Sequence, residues 1–348
     1  MQCQTTGFVR ISIIATLLYA PLLMAATEDK PSSIKPPHLT ASLVSEHNGV
    51  VSGQPFWVAL HFDIIPEWHT YWQNAGDSGS PPSIDWQLPE GFSASEIHWP
   101  YPQRLPVGPL MNYGYSDQAM LLVEVTPPGA LPPGQTIELQ ADAQWLVCKV
   151  QCIPEEGSFS LSLPVIAASR QTPSVWADAF SDARQRLPQP LPWSATVDVN
   201  ASQLTVDIDM TDVDTSQLHD VYFYPGSYGI VEHAARQSYT MNDSTLTITL
   251  TRGDLRGQSL KRLDGVLLIA ERTADGMLER AFTVTAPAAP IQSSSSLGFI
   301  LLFALSGGLL LNIMPCVFPI LSLKALQIVQ TAAQTPAMVR SNGVAFTL

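Results

Sequence analysis

From His38 to about Pro164 the chain alternates apolar and polar residues in short runs, among them "HLTASLVSE", "PFWVALHFDI" and "QTIELQADAQWLV", parted by proline and glycine turns. Successive side chains of a strand point to opposite faces, so a period of two broken by frequent turns predicts an antiparallel β-sandwich. "SVWADAFSDARQRLP", residues 174–188, switches to helical spacing and closes on a proline, which predicts a connecting helix. A second alternating stretch follows, from "WSATVDVN" through "DVYFYPG" and "STLTITLTRG" to "RAFTVTAP", and it contains no cysteine.

The pattern then changes character. "APIQSSSSLG" lacks the apolar residues a core requires and reads as a linker. Residues 297–323 carry no charge, and a membrane-spanning helix needs only about 20 apolar residues, so this run is expected to cross a bilayer. At the other end, Arg10, an apolar run from Ile11 to Leu23 and the small residues Ala25 and Ala26 have the outline of a signal peptide cleaved near Ala26. Lys324 and Arg340 follow the span while no Lys or Arg precedes it closely, which places the β-rich part outside and residue 324 in the cytoplasm. "GVAFTL" begins a further apolar run, so the chain is expected to be the front of a longer polytopic protein. The organisation read from the sequence is a signal peptide at 1–26, a β-sandwich carrying the cysteine pair at 27–166, a second β-sandwich with its leading helix at 167–288, a linker at 289–296, a transmembrane helix at 297–323, and a cytoplasmic loop with the start of a second span at 324–348.

Charge narrows the partners. The formal net charge is -13, and the seventeen Lys and Arg form no run that would attract a phosphate backbone, so nucleic acid is not expected as a partner.

The candidate chemistry lies in sulfur. Four cysteines are present. Cys3 falls in the leader, which leaves Cys148, Cys152 and Cys316. Export brings paired thiols into an oxidising compartment. Residues four apart on a straight strand stand roughly 13 Å apart, too far for a disulfide, so Cys148 and Cys152 in "WLVCKVQCIPE" can join only across a turn made by Lys149, Val150 and Gln151. Three readings stay open for them. A bridge enclosing so few residues contributes less than the roughly 3 kcal/mol of a 15-residue loop, which makes it a poor staple. Neighbouring thiols exchange quickly, which suits redox transfer. Two thiolates with Met111, Met120 or a histidine could instead hold Cu(I), although His38, His47, His61, His69, His98, His219 and His233 are scattered. Lys149 is a candidate for lowering a neighbouring thiol pKa. Cys316, between Pro315 and Pro319 in "NIMPCVFPI", sits where two prolines break a membrane helix and open a thiol to a cavity, or else simply fills helix packing.

"PCVFP" in the first span after an exported β domain, together with a close cysteine pair followed by "IPE", resembles the DsbD-type transmembrane thiol:disulfide interchange proteins. "EWHTYWQNAGDSGSPPSIDW", "WPYPQR" and "NYGY" are most similar to the suppressor of copper sensitivity B (ScsB) branch of that family. The resemblance implies a mainly β chain of two immunoglobulin-like β-sandwich domains followed by the start of a polytopic α-helical membrane domain. It implies a protein-disulfide reductase of the bacterial inner membrane with residues 27–296 in the periplasm, linked to copper tolerance or cytochrome c biogenesis, with a periplasmic copper-binding module as the alternative. In such a relay electrons pass from cytoplasmic thioredoxin through the membrane domain to a C-terminal thioredoxin-like domain of the same full-length protein, and then through the N-terminal domain to periplasmic thioredoxin-fold substrates. Cys148 and Cys152 would be the N-terminal redox pair and Cys316 the first membrane cysteine, with the lipid bilayer as a further partner and no cofactor beyond the redox-active disulfide. Better-known members separate their N-terminal cysteines by a longer insert than the three residues here. The family shields its pair with an aromatic cap loop, to whose Phe-Tyr-Gly core "NYGY" is similar, which makes Tyr113 and Tyr115 the cap candidates.

Overall fold

The structure is a computed structural model that describes residues 32–211, 217–254, 260–274, 276–289 and 301–308, with Ser322, Leu323, Leu326 and Val329. The chain divides into two compact units, Met1–Ala289 and Pro290–Leu348. In the first, the strands are β1 (Ser33–Ile34), β2 (Leu39–Ser45), β3 (Phe56–Ile64), β4 (His69–Gly76), β5 (Ser83–Gln87), β6 (Ser93–Ala94), β7 (Gln103–Val107), β8 (Leu110–Ser116), β9 (Gln118–Thr126), β10 (Thr136–Cys148) and β11 (Cys152–Pro164). Two sheets form from them, β1-β2-β3-β9-β6 and β11-β10-β4-β8-β7, with β5 pairing onto β10 beside that path. The first alternating stretch is thus a sandwich of antiparallel pairs, as its period of two requires.

Its core follows from that alternation. Ala141, Ala143, Trp145 and Val147 of β10 are all buried and face inward with Phe62, Tyr113, Tyr115 and Phe159, while Leu139 is buried with Phe56, Val58 and Val123. Trp145 packs on Phe62 with ring centroids 5.0 Å apart. Aromatic rings of this size supply much of the apolar area removed from water.

Helix α1 (Ala177–Gln185) covers the β2-β3-β9 sheet with the fully buried Phe180 and with Ala183, which pack against Val44, Ala59 and Leu122. The Arg184 guanidinium grips both Glu46 oxygens at 2.5 and 2.9 Å, a bidentate pair that ties the helix to the strand end.

The second stretch supplies β12 (Gln189–Pro190), β13 (Ala195–Val199), β14 (Gln203–Asp209), β15 (Leu218–Pro225), β16 (Ser238–Asn242), β17 (Thr245–Thr251), β18 (Arg262–Thr273) and β19 (Gly276–Pro287). They form the sheets β12-β19-β18-β15 and β13-β14-β17-β16 around a core of Val206, Phe223, Ile248 and Leu267.

The two sandwiches pack into one compact unit. The register of β4 against β8 breaks after Tyr71↔Gly114 and resumes at Gly76↔Asn112, so the intervening residues bulge out. From this bulge the buried Asn74 Nδ2 donates to the Pro225 carbonyl at 2.7 Å, and Trp72 meets the Tyr224 ring edge-on. The Tyr101 hydroxyl donates to Glu279 at 2.8 Å, and Arg104 pairs with Asp220.

Among the described residues no helix is long and apolar enough to cross a membrane. Of the span expected at 297–323, only 301–308 and 322–323 are described, and they are helical. The leader at 1–26, the linker from residue 290 onward and Cys316 lie outside the described residues.

Candidate functional site

β10 and β11 form a long hairpin whose register runs without a break from Thr136↔Pro164 to Cys148↔Cys152. The cysteines are its last cross-strand pair. Lys149, Val150 and Gln151 close the turn, with the Lys149 amide donating to the Gln151 carbonyl at 3.3 Å. Directly opposite residues of an antiparallel pair bring their side chains together. The Cα atoms here are 4.2 Å apart and the sulfurs are bonded. The two sulfurs differ in access: Cys148 is 3 % exposed, whereas Cys152 faces solvent.

Cys148 pairs on its other side with His69 of β4, and His69 with Ser116 of β8. Side chains of such a row share one sheet face, so His69 and, two residues on, Tyr71 lie on the outer face with the disulfide. The Tyr71 side chain is fully buried and its hydroxyl lies 3.2 Å from Cys152 Sγ. Tyr71, Ala75 and Cys148 form a small apolar cluster outside the main core.

One glycine makes room for that ring and another for the backbone that carries it. Gly79 has φ +96°, and a Cβ there would lie 2.2 Å from Tyr71 Cζ. Only glycine allows the loop to take that conformation and to lie flat on the phenol. Gly114 stands opposite Tyr71, where a Cβ would fall 1.9 Å from the Thr70 carbonyl oxygen.

Burial pushes the Tyr71 phenol above its ordinary pKa, with a hydrogen bond from Ser78 acting the other way. Burial also holds the His69 imidazole below its ordinary value. His69 Nε2 is buried and has no hydrogen-bond partner among the described residues.

The parity that brings Tyr71 to the disulfide takes Tyr113 and Tyr115 away from it. They flank Gly114 in β8 and point to the opposite face of the sheet, into the core. Tyr113 is fully buried, its hydroxyl 3.0 Å from that of Tyr222 and 3.3 Å from His233 Nδ1. Tyr115 donates to the Pro100 carbonyl at 2.7 Å. Neither cap candidate contacts the disulfide in this arrangement: Tyr113 reaches the second sandwich through Tyr222 and His233, and Tyr115 fills the core of the first. Tyr71 is the aromatic residue on the sulfur. A sequence signal for it existed in "HTYW", whose alternation puts His69 and Tyr71 on one face, but nothing local showed that β4 runs beside the cysteine hairpin.

Lys149, at the turn, pairs with Glu67 at 2.5 Å. Glu155 of β11 accepts from Trp145 Nε1 at 3.1 Å and lies 2.8 Å from His38 Nδ1, so it is already occupied. On the outer face the hairpin continues from the disulfide into an open cavity of about 500 Å³ lined by Gln144, Leu146, Pro154 and Glu156, and walled by Ser80, Pro81 and Ser83.

The residues considered for Cu(I) are dispersed. Met120 packs under α1, Met111 lies against the main core, His98 packs edge-on to Trp57, and His61 lies against Trp176. No three His, Cys, Asp or Glu side chains come together as a metal-ligand group among the described residues.

Comparison with known proteins gives the site its context. The solved N-terminal periplasmic domain of ScsB from Proteus mirabilis superposes with a TM-score of 0.54 at 18% identity, over 75% of this chain and 99% of that one, a likeness of fold. The titin z1z2 domains, in a complex with telethonin (9% identity, 72% of this chain and 98% of that one, TM-score 0.17), and a Porphyromonas gingivalis W83 protein of unknown function (11%, 69% and 94%, TM-score 0.20) are similar too loosely to carry an argument. No curated protein matches the sequence. Residues 40–164, from β2 to the end of the cysteine hairpin, match the family described as thiol:disulfide interchange protein DsbD, N-terminal.

Proposed function

We propose that the chain is the periplasmic front of a membrane-anchored protein-disulfide reductase, and that the Cys148–Cys152 pair hands two electrons to disulfides of other proteins. The observation that carries this reading is a disulfide set as the final pair of a rigid hairpin with one sulfur buried and the other at the surface. The exposed Cys152 thiolate attacks a substrate disulfide. One substrate sulfur joins Cys152 and the other leaves with the bonding electron pair as a thiolate. The buried Cys148 thiolate then attacks Cys152 Sγ, which releases the second substrate sulfur and restores the bridge. The substrate is reduced and the pair oxidised. A dithiol must reopen it, in this reading the C-terminal thioredoxin-like domain of the full-length protein, supplied through a membrane domain containing Cys316 from cytoplasmic thioredoxin.

The substrates are periplasmic thioredoxin-fold proteins, in a setting of copper tolerance or cytochrome c assembly, with the chain held in the bacterial inner membrane. The disulfide carries the electrons without a further cofactor.

A redox titration tests the reading, with free thiols at Cys148 and Cys152 quantified by alkylation and mass measurement. The expected result is a single two-electron transition at a potential above roughly −300 mV, within reach of biological dithiols. A bridge that stays closed below that potential would overturn the reading.

A further inference from the structure

We propose that the Tyr71 hydroxyl is a catalytic hydrogen-bond donor that holds Cys152 as the exchanging thiolate. The inference rests on the exchange reading above and assigns a role to a residue that the cysteine motif does not contain. Its geometry is on the outer face of the sheet: the phenol oxygen is 3.2 Å from Cys152 Sγ and the ring is fully buried. A group that touches the reacting atom and cannot swing away acts on that atom's charge.

The donor direction follows from the sulfur, which in the disulfide or as a thiolate has no proton to give, so the phenol donates. In the disulfide the sulfur is a weak acceptor, but once the bridge is opened Cys152 carries either a proton or a full negative charge. A hydrogen bond to an ionised acceptor is roughly twice as strong as one between neutral groups, so the contact stabilises the thiolate over the thiol. Ser78, the other hydroxyl beside the phenol, is hydrogen-bonded to Asn112 Oδ1 at 3.0 Å. Gly79 lays the loop flat against the fully buried ring, so little rotamer freedom is lost when the thiolate forms.

The remaining charged groups around the turn do not supply the same effect. Lys149 is engaged with Glu67, and both are substantially exposed. Glu155 is held by Trp145 and His38. His69 pairs with Cys148 in the register, and burial keeps its imidazole neutral near neutral pH. The phenol is therefore the group that distinguishes the two sulfurs, favouring Cys152 as the attacking one. During exchange the thiolate lone pair forms the new S–S bond, the phenol keeps its proton, and the donor is free to act again when Cys152 is next released.

The test reads ionisation rather than turnover. The full chain is reduced with excess phosphine, iodoacetamide alkylation is followed against pH, and the Cys148- and Cys152-containing peptides are quantified separately, so that Cys3 and Cys316 do not interfere. Tyr71→Phe removes only the hydroxyl and is expected to raise the alkylation midpoint of Cys152 by about one pH unit. Ser78→Ala is expected to leave it in place. No shift in Tyr71→Phe overturns the proposal, and so does an equal rise in Ser78→Ala, which would indicate a loosened loop. Should Tyr71→Phe not fold, as judged by near-ultraviolet circular dichroism, the unsubstituted chain decides: a Cys152 midpoint below the ordinary thiol value of about 8.5 supports the donor, and one at or above it overturns the donor. An inert bridge in the redox titration would sink the exchange reading and leave this measurement intact. A cycling bridge with an unshifted midpoint in Tyr71→Phe would sink the donor alone.

Discussion

Cys148 and Cys152 face each other across the end of one hairpin, and only Cys152 is open to solvent. In-line attack on a sulfur needs access along the S–S axis, so the two should behave differently once separated. Cys148→Ser is expected to accumulate a mixed disulfide between Cys152 and a protein or small-molecule disulfide, because the resolving thiol is gone. Cys152→Ser should accumulate little. Non-reducing electrophoresis with mass identification of the adduct checks this, and equal trapping by both variants would refute the assignment.

The loop over Tyr71 is held by backbone that tolerates only glycine. Gly79→Ala puts a methyl group into the phenol ring at a left-handed φ, and a loss of about 1–3 kcal/mol is expected. Gly114→Ala should cost at least as much, since its Cβ would meet the backbone carbonyl of Thr70, which cannot rotate aside. Denaturant melts of the two variants give the values.

The junction of the sandwiches depends on buried polar contacts. Asn74→Ala leaves the Pro225 carbonyl without its donor, and a loss of roughly 1–3 kcal/mol is expected. Trp72→Ala empties a fully buried site beside Tyr224 and should cost about 3–5 kcal/mol. Because both residues lie in the β4 bulge, the two losses are not expected to add, which a double variant measures.

The ion pair of Lys149 with Glu67 is exposed, so its contribution is small. Lys149→Ala is expected to change stability by less than about 1 kcal/mol, with the difference vanishing at high salt. Melts at low and high ionic strength check this. A large loss would mean that the turn depends on the pair.

Stability should also depend on pH through buried imidazoles. His61, His69 and His233 all have folded pKa values lowered by burial from the ordinary 6.5. The unfolded chain then binds protons that the folded chain refuses. Stability is full above about pH 6.5 and falls as the pH drops towards the folded values, by at most about 1.4 kcal/mol per pH unit for each group. Denaturant midpoints at pH 7.5 and 5.5 should differ accordingly, and replacing His69 and His233 by Gln should flatten the curve.

Much of this molecule is written in local patterns. Alternation along "QTIELQADAQWLV" specifies which residues of β10 face the core, because a strand has only two faces. The spacing of Cys148 and Cys152 restricts them to a turn, and "SVWADAFSDARQRLP" specifies a helix ending before Pro188. Such features depend on residues within a few positions of one another. Tyr113 and Tyr115 show the limit: "NYGY" gives their alternation, but which face meets the second sandwich and which meets the sulfur depends on the register of β8 against β4. The contact of Tyr71 with Cys152 spans 81 positions in sequence. It exists because β4 takes its place beside β10, a choice made by the packing of the whole sheet, and no local pattern encodes which distant strand will be the neighbour.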